Sequence, residues 1–171
     1  MLEVIPDAVY LIHGTPHPSG VGCKEYYTFI QEEANKTAPN HIFFNNSFAS
    51  TADLHIMLRS ASVYVNAYTD REQSVSGTLA MALGLGTVAV STPYAYAAEV
   101  LQNNSGRLVP FDDVDALAEA VIDVLSDDEN RKVSSNVDVL SCFSYSCGVP
   151  CAMMLYVVVC CYMYRYMFCI C

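Results

Sequence analysis

Basic side chains are scarce in this chain: eight lysines and arginines stand against eighteen aspartates and glutamates in 171 residues, giving a net charge of −10. Nucleic acids and anionic membrane surfaces are held through clustered Lys and Arg, so neither is an expected partner surface. No C-x-x-C pair occurs, which removes the usual zinc spacing, and no metal is expected. The opening stretch Met1–Asp7 has neither a basic segment nor a long apolar one. No secretory signal is read there, a cytoplasmic location is expected, and a disulfide framework is unsupported. The sequons at Asn35, Asn45 and Asn103 are accordingly treated as incidental. What the chain does have is 53% apolar and 15% charged residues, the balance of one globular domain with a sizeable core.

Up to about residue 131 the pattern alternates between short apolar runs and helical periodicity. Strands are expected at Ala8–Ile12, Ile42–Phe44, Val63–Val65, Thr87–Val90 and Arg107–Val109. Helices are expected over Lys24–Lys36, after Ser50 with Asp53 as a capping pair, from Ser76-Gly77-Thr78 through Leu83, over Ala95–Gln102, and after Asp113 with Leu117, Val121, Val124 and Leu125 inward. Strands alternating with helices imply right-handed crossovers, and hence a parallel α/β sheet covered by helices on both faces. Ligands of such sheets bind outside the carboxyl ends of the strands, where the strand order reverses. Three loops leave strands there with polar chemistry: 13–20, 67–76 and 91–94.

The second of these loops is the most informative. Ser76-Gly77-Thr78 follow a strand and open a helix, so free backbone N–H groups and small hydroxyls are placed where the helix dipole attracts an anion. A diphosphate suits that position. Its charge would be met by these N–H groups and by one or two basic side chains, for which Arg71, Lys24 and Arg107 are candidates.

The order of short motifs carries a resemblance. Ala8-Val-Tyr-Leu-Ile12 with Gly14 and His17-Pro18, then His41-Ile-Phe-Phe-Asn-Asn-Ser-Phe48, Ser76-Gly-Thr-Leu-Ala80, Val90-Ser-Thr-Pro-Tyr94 with Glu99, and Gly106-Arg-Leu-Val-Pro110 together resemble the donor-binding, C-terminal half of a family 4 GT-B glycosyltransferase. The resemblance covers about three quarters of the chain. It implies a Rossmann-like half of a GT-B fold and a donor site drawn from Gly14, His17, Asn46, Arg71, Ser76, Gly77 and Thr78. It further implies sugar transfer from a nucleoside-diphosphate sugar, with retention, to an acceptor the sequence does not name, with no cofactor beyond that substrate. Two family glutamates eight positions apart align with Arg71 and Leu79, so the sugar-facing carboxylate is assigned to Glu72, one residue along.

On this reading residues 1–133 form the donor-binding domain, incomplete at its N-terminus, and the chain resembles a fragment that is not active alone. Residues 134–171 are different in kind. Seven of eight cysteines and four of seven methionines lie beyond Ser141, and Val149–Tyr164 runs sixteen residues without a charge, short of the roughly 20 that span a bilayer. This tail is expected to stand outside the fold, so that its removal leaves the domain intact; a membrane anchor is the alternative. The alternative function is a non-catalytic remnant or interaction module that keeps the fold, tethered to a membrane by the tail.

Overall fold

The computed structural model describes residues 1–14, 23–47, 49–102, 106–127 and, as backbone, 155–160. Strand β1 (Ala8–His13) leads to helix α1 (Cys23–Thr37), β2 (Ile42–Asn45), α2 (Thr51–Ser60), β3 (Val63–Asn66) and α3 (Gly77–Gly84). There follow β4 (Ala89–Ser91), α4 (Ala95–Val100), β5 (Gly106–Leu108), α5 (Val114–Ser126) and β6 (Leu155–Cys160). All pairings are parallel, in the order β2-β1-β6-β3-β4-β5.

Each element forms for a local reason. Ser50 caps α2 by accepting from the Asp53 N–H at 3.2 Å, and Asp113 caps α5 by accepting from Ala116 at 2.9 Å, two donors that the helix cannot satisfy internally. β3 and β4 are buried at every residue, the signature of strands covered on both faces. Their side chains alternate. Tyr64 and Ala89, paired in register, join Leu11 in a cluster with Leu54, Met57 and Leu58 of α2, Leu79 and Ala82 of α3, and Ala97 of α4. Val63, Val65 and Val90 point the other way, against Val121, Val124 and Leu125 of α5 and Ile5 of the N-terminal turn. Burying each such aliphatic side chain contributes about 1.5–3 kcal/mol, so both faces are held by apolar burial. Gly106 reflects the tightness of the β4–β5 contact: an added Cβ would stand 2.5 Å from Ala89 O and 2.8 Å from Leu101 Cδ2.

Strand β6 departs from the expectation that residues 134–171 stand apart from the fold. Six of them, Leu155–Cys160, occupy the centre of the sheet between β1 and β3. The physical reason is legible afterwards: Leu-Tyr-Val-Val-Val-Cys is a β-branched apolar run suited to a strand with a neighbour on either side. The rest of 134–171 lies outside the described residues, and with it the anchor reading. Among the described residues, no helix is long and apolar enough to cross a membrane.

Candidate functional site

The parallel register brings the carboxyl ends of the strands to one edge, with His13 beside Asn45 and Cys160, and Asn66 beside Ser91. At this edge β3 ends in Asn66, a polar side chain buried at the close of an otherwise apolar strand. Its Nδ2 donates to Tyr64 Oη at 3.1 Å and to Ser76 Oγ at 3.2 Å. Tyr64 Oη lies 2.7 Å from Thr78 Oγ1, which is 3.5 Å from Ser76 Oγ. Four buried polar side chains thus tie the start of α3 to the end of β3. Satisfied networks of this kind in a low-dielectric interior hold their members in one arrangement.

Ser76 is also the N-cap of α3, its Oγ accepting from the Leu79 N–H at 3.3 Å. The N–H groups of Gly77 and Thr78 have no acceptor among the described residues, as the first turn of a helix dictates. Gly77 is exposed, and a Cβ built on it meets nothing within 4 Å. At Gly77 the helix start therefore presents the positive end of its dipole to open space, over a rigid polar floor that includes the buried Thr78.

The neighbouring loops are stitched to this floor. Arg71 O accepts from Ala95 N–H at 2.9 Å and Gln73 O from Tyr96 N–H at 3.2 Å, so loop 67–76 is fixed to the start of α4. Thr92 Oγ1 donates to Tyr68 O, and Ser91 Oγ donates to Asn66 O at 2.8 Å. The Arg71 guanidinium stacks 4.1 Å from the Phe111 ring centroid, a cation–π placement that keeps its charge at the exposed rim. Glu72 is exposed in the same loop, its N–H donating to Asp70 Oδ1 at 3.1 Å.

Among the described residues, two buried polar side-chain atoms lack a partner. Tyr94 is wholly buried, and its hydroxyl makes no hydrogen bond. Desolvation pushes that phenol up to about 12, the nearby Ser76 and Ser91 hydroxyls pulling the other way without reaching hydrogen-bonding geometry. His13, at the end of β1, is 5% exposed with an unpartnered Nδ1, and burial lowers its pKa so that the neutral ring is favoured. An orphaned buried polar atom is costly and calls for a reason, and both stand at the edge where the loops converge.

Of the residues expected from sequence, the structure places Gly14, Arg71, Glu72, Ser76, Gly77 and Thr78 at this one edge. Gly14 has φ +140°, a conformation that favours glycine, and its N–H donates to Asn45 O at 3.0 Å, tying the exit of β1 to the end of β2. Asn46 follows β2, where its Oδ1 accepts from Tyr27 of α1. Two strands, β1 and β6, separate it from β3, on the outer side of the edge. His17 lies outside the described residues. Lys24 opens α1 after the β1 loop, whereas Arg107 lies within edge strand β5 and donates to the carbonyl of Gly106 at 3.3 Å. Sequence reasoning did not single out Tyr64, Asn66 or Tyr94, and met His13 and Ser91 only as the first residues of their loops. The available signal was polar side chains closing apolar runs, His13 after Leu-Ile, Asn66 after Val-Tyr-Val and Ser91 after Ala-Val.

A family model described as glycosyl transferases group 1 matches residues 5–127, from the turn before β1 to the residue that closes α5. No curated protein matches the chain. The matched span holds β1–β5, α1–α5 and every residue of the polar floor, and its doubly covered parallel sheet is the Rossmann-like half of a GT-B fold. The chain belongs to the glycosyl transferases group 1 family.

Proposed function

We propose that this domain holds the donor of a retaining glycosyltransferase, a nucleoside-diphosphate sugar whose diphosphate rests on the start of α3. The observation that carries the reading is the exposed start of α3 at Gly77, whose N–H and that of the buried Thr78 have no acceptor among the described residues, anchored from behind by the Ser76, Asn66, Tyr64 and Thr78 side chains. Fixed donors aimed at a developing anion need no reorganisation during reaction, the condition under which such donors stabilise a leaving group most. As the bond between the anomeric carbon and the phosphate oxygen breaks, negative charge grows on that oxygen and is met by the helix start. Positive charge grows on the sugar, and Glu72, which shares the adjoining loop with Asp70, is the carboxylate assigned to favour it. The acceptor hydroxyl forms the new bond from the face the phosphate leaves, and its proton passes to the departing phosphate oxygen. The family resemblance assigns further donor contacts to Gly14, His17, Asn46 and Arg71.

The acceptor is presented by a domain facing this edge, which also excludes water and so strengthens the charge interactions. This chain alone binds donor without turning it over. Titrating the full chain with UDP, GDP and ADP while following its melting temperature tests the reading. One nucleotide should raise the transition by several degrees at millimolar concentration. A melting temperature unmoved by all three would leave a fold that has kept its frame and lost its ligand, as the replacement of both aligned glutamates by Arg71 and Leu79 would then explain.

A further inference from the structure

Basic side chains are scarce where the loops leave the carboxyl ends of the strands. Among the described residues there, Lys24 and Arg71 stand against more acids than bases: Asp70 and Glu72 flank Arg71 in the loop after β3, and Asp112 and Asp113 follow Phe111 in the segment after β5. An anion approaching the start of α3 therefore meets a rim whose charge is mostly of its own sign. A guanidinium in such company has carboxylates within reach of its side chain. Arg71 nevertheless forms no salt bridge among the described residues, where Lys36 with Glu33 on α1 is the pair formed.

What Arg71 touches instead is Phe111, with the guanidinium carbon 4.1 Å from the ring centroid. The ring has firm support. It is partly buried against the core cluster that contains Leu79, Tyr94 and Ala97. Pro110 restricts the backbone before it, Asp112 after it takes the left-handed conformation at φ +60°, and Asp113 caps α5 through the Ala116 N–H at 2.9 Å. The Arg71 backbone is held as well, its carbonyl accepting from the Ala95 N–H at 2.9 Å. Both members of the contact are thus anchored, one in the loop after β3 and the other in the loop after β5. A cation held over a ring face spends none of its N–H donors on an oxygen.

We propose that Phe111 is a positioning residue for anion binding: its ring holds the Arg71 guanidinium away from Asp70, Glu72, Asp112 and Asp113, and so reserves that fork of N–H donors for a diphosphate at the start of α3. The ring acts through Arg71 and touches no ligand itself. A planar guanidinium meets phosphate oxygens two at a time, which a lysine ammonium at the same place does not. Because the side chain is ordered before the anion arrives, less freedom is lost on binding. The identity of the anion rests on the donor-site reading, whereas the coupling between Phe111 and Arg71 does not.

The test is a titration of the full chain with pyrophosphate, followed by the NMR signals of the Gly77 amide and the Arg71 Nε–H. Both signals should move along one saturation curve. Arg71→Gln should weaken binding about tenfold and Phe111→Leu about threefold, whereas Phe111→Tyr, which keeps a ring face, should bind as the parent does. In the Arg71→Gln background Phe111→Leu should change nothing, because the ring then has no cation to place. A loss of the same size that persists in that background would make Phe111 a support of the fold alone and overturn the proposal. So would a Phe111→Leu variant that binds as tightly as the parent. Pyrophosphate that shifts Gly77 without Arg71, or shifts neither, overturns it in the parent chain without any substitution. If the pattern is as expected while UDP, GDP and ADP leave the melting temperature unmoved, the anion site stands and the donor reading falls. If one of them binds and Phe111→Leu leaves its affinity unchanged, the donor reading stands and the role of Phe111 falls.

Discussion

Strands β3–β5 and strand β6 are neighbours in one sheet, yet they reach it by opposite routes. β3, β4 and β5 follow one another in space as they do in sequence, each linked to the next by a helix that packs on the sheet. β6 comes from a segment of unlike composition beyond the matched family span, and enters at the centre. The difference separates two kinds of specification. A strand–helix–strand unit is announced by its own periodicity, because its apolar face is covered by the helix beside it in sequence. A strand that completes a sheet answers instead to the unpaired backbone of strands far away, and no local pattern records that vacancy.

The sharpest way to break this comparison is to remove the late strand. Deleting residues 128–171 should abolish the cooperative thermal transition, since the two half-sheets lose their only hydrogen-bonded link among the described residues. An unchanged melting temperature would restore the tail to the bystander role that composition suggested. Next in size is Gly106→Ala within the locally specified half. Its Cβ would collide with the backbone oxygen of Ala89, and denaturant unfolding should show a loss of about 3 kcal/mol. Asn66→Ala should cost about 2 kcal/mol by the same measurement, because Tyr64 Oη and Ser76 Oγ each lose a buried donor.

Tyr94→Phe should be the mildest, within about 1 kcal/mol at pH 7, since the hydroxyl it removes has no partner. Its signature lies in alkali. The folded state holds the Tyr94 proton to about 12, above the unfolded value of about 10, so the parent has this contribution in full below pH 10 and loses it as pH rises through 12. Melting curves of parent and variant should therefore diverge between those values, with the parent falling faster. Parallel curves would mean that the phenol is solvated.

Much of the fold was legible because its elements are locally consistent. The caps Ser50, Ser76 and Asp113 stand where sequence expects them, and so do the inward Val121, Val124 and Leu125. Small boundary differences arise where polar residues continue a strand by one position, as His13, Asn45 and Asn66 do. The start of α3 was equally readable as a structural element, since a Ser-Gly-Thr opening announces a helix start in its own residues. The floor beneath it was not. Tyr64 reads as an apolar strand residue, and only the fold reveals that its hydroxyl meets Thr78, fourteen residues on. Glu72 and Arg71 illustrate the opposite limit: sequence placed them in the right loop, while the stacking of Arg71 on Phe111 depends on an approach between loops forty residues apart.

The account turns on the start of α3 as an anion site, and Gly77→Val tests it most directly. The substituted side chain points into open space at an exposed helix start, so the variant should melt within a few degrees of the parent. Where the parent is stabilised by its preferred nucleoside diphosphate, the variant should show no stabilisation, because the added methyl groups fill the space a phosphate needs beside the Gly77 and Thr78 N–H groups. A variant that binds the nucleotide as tightly as the parent would place the anion elsewhere and contradict the account.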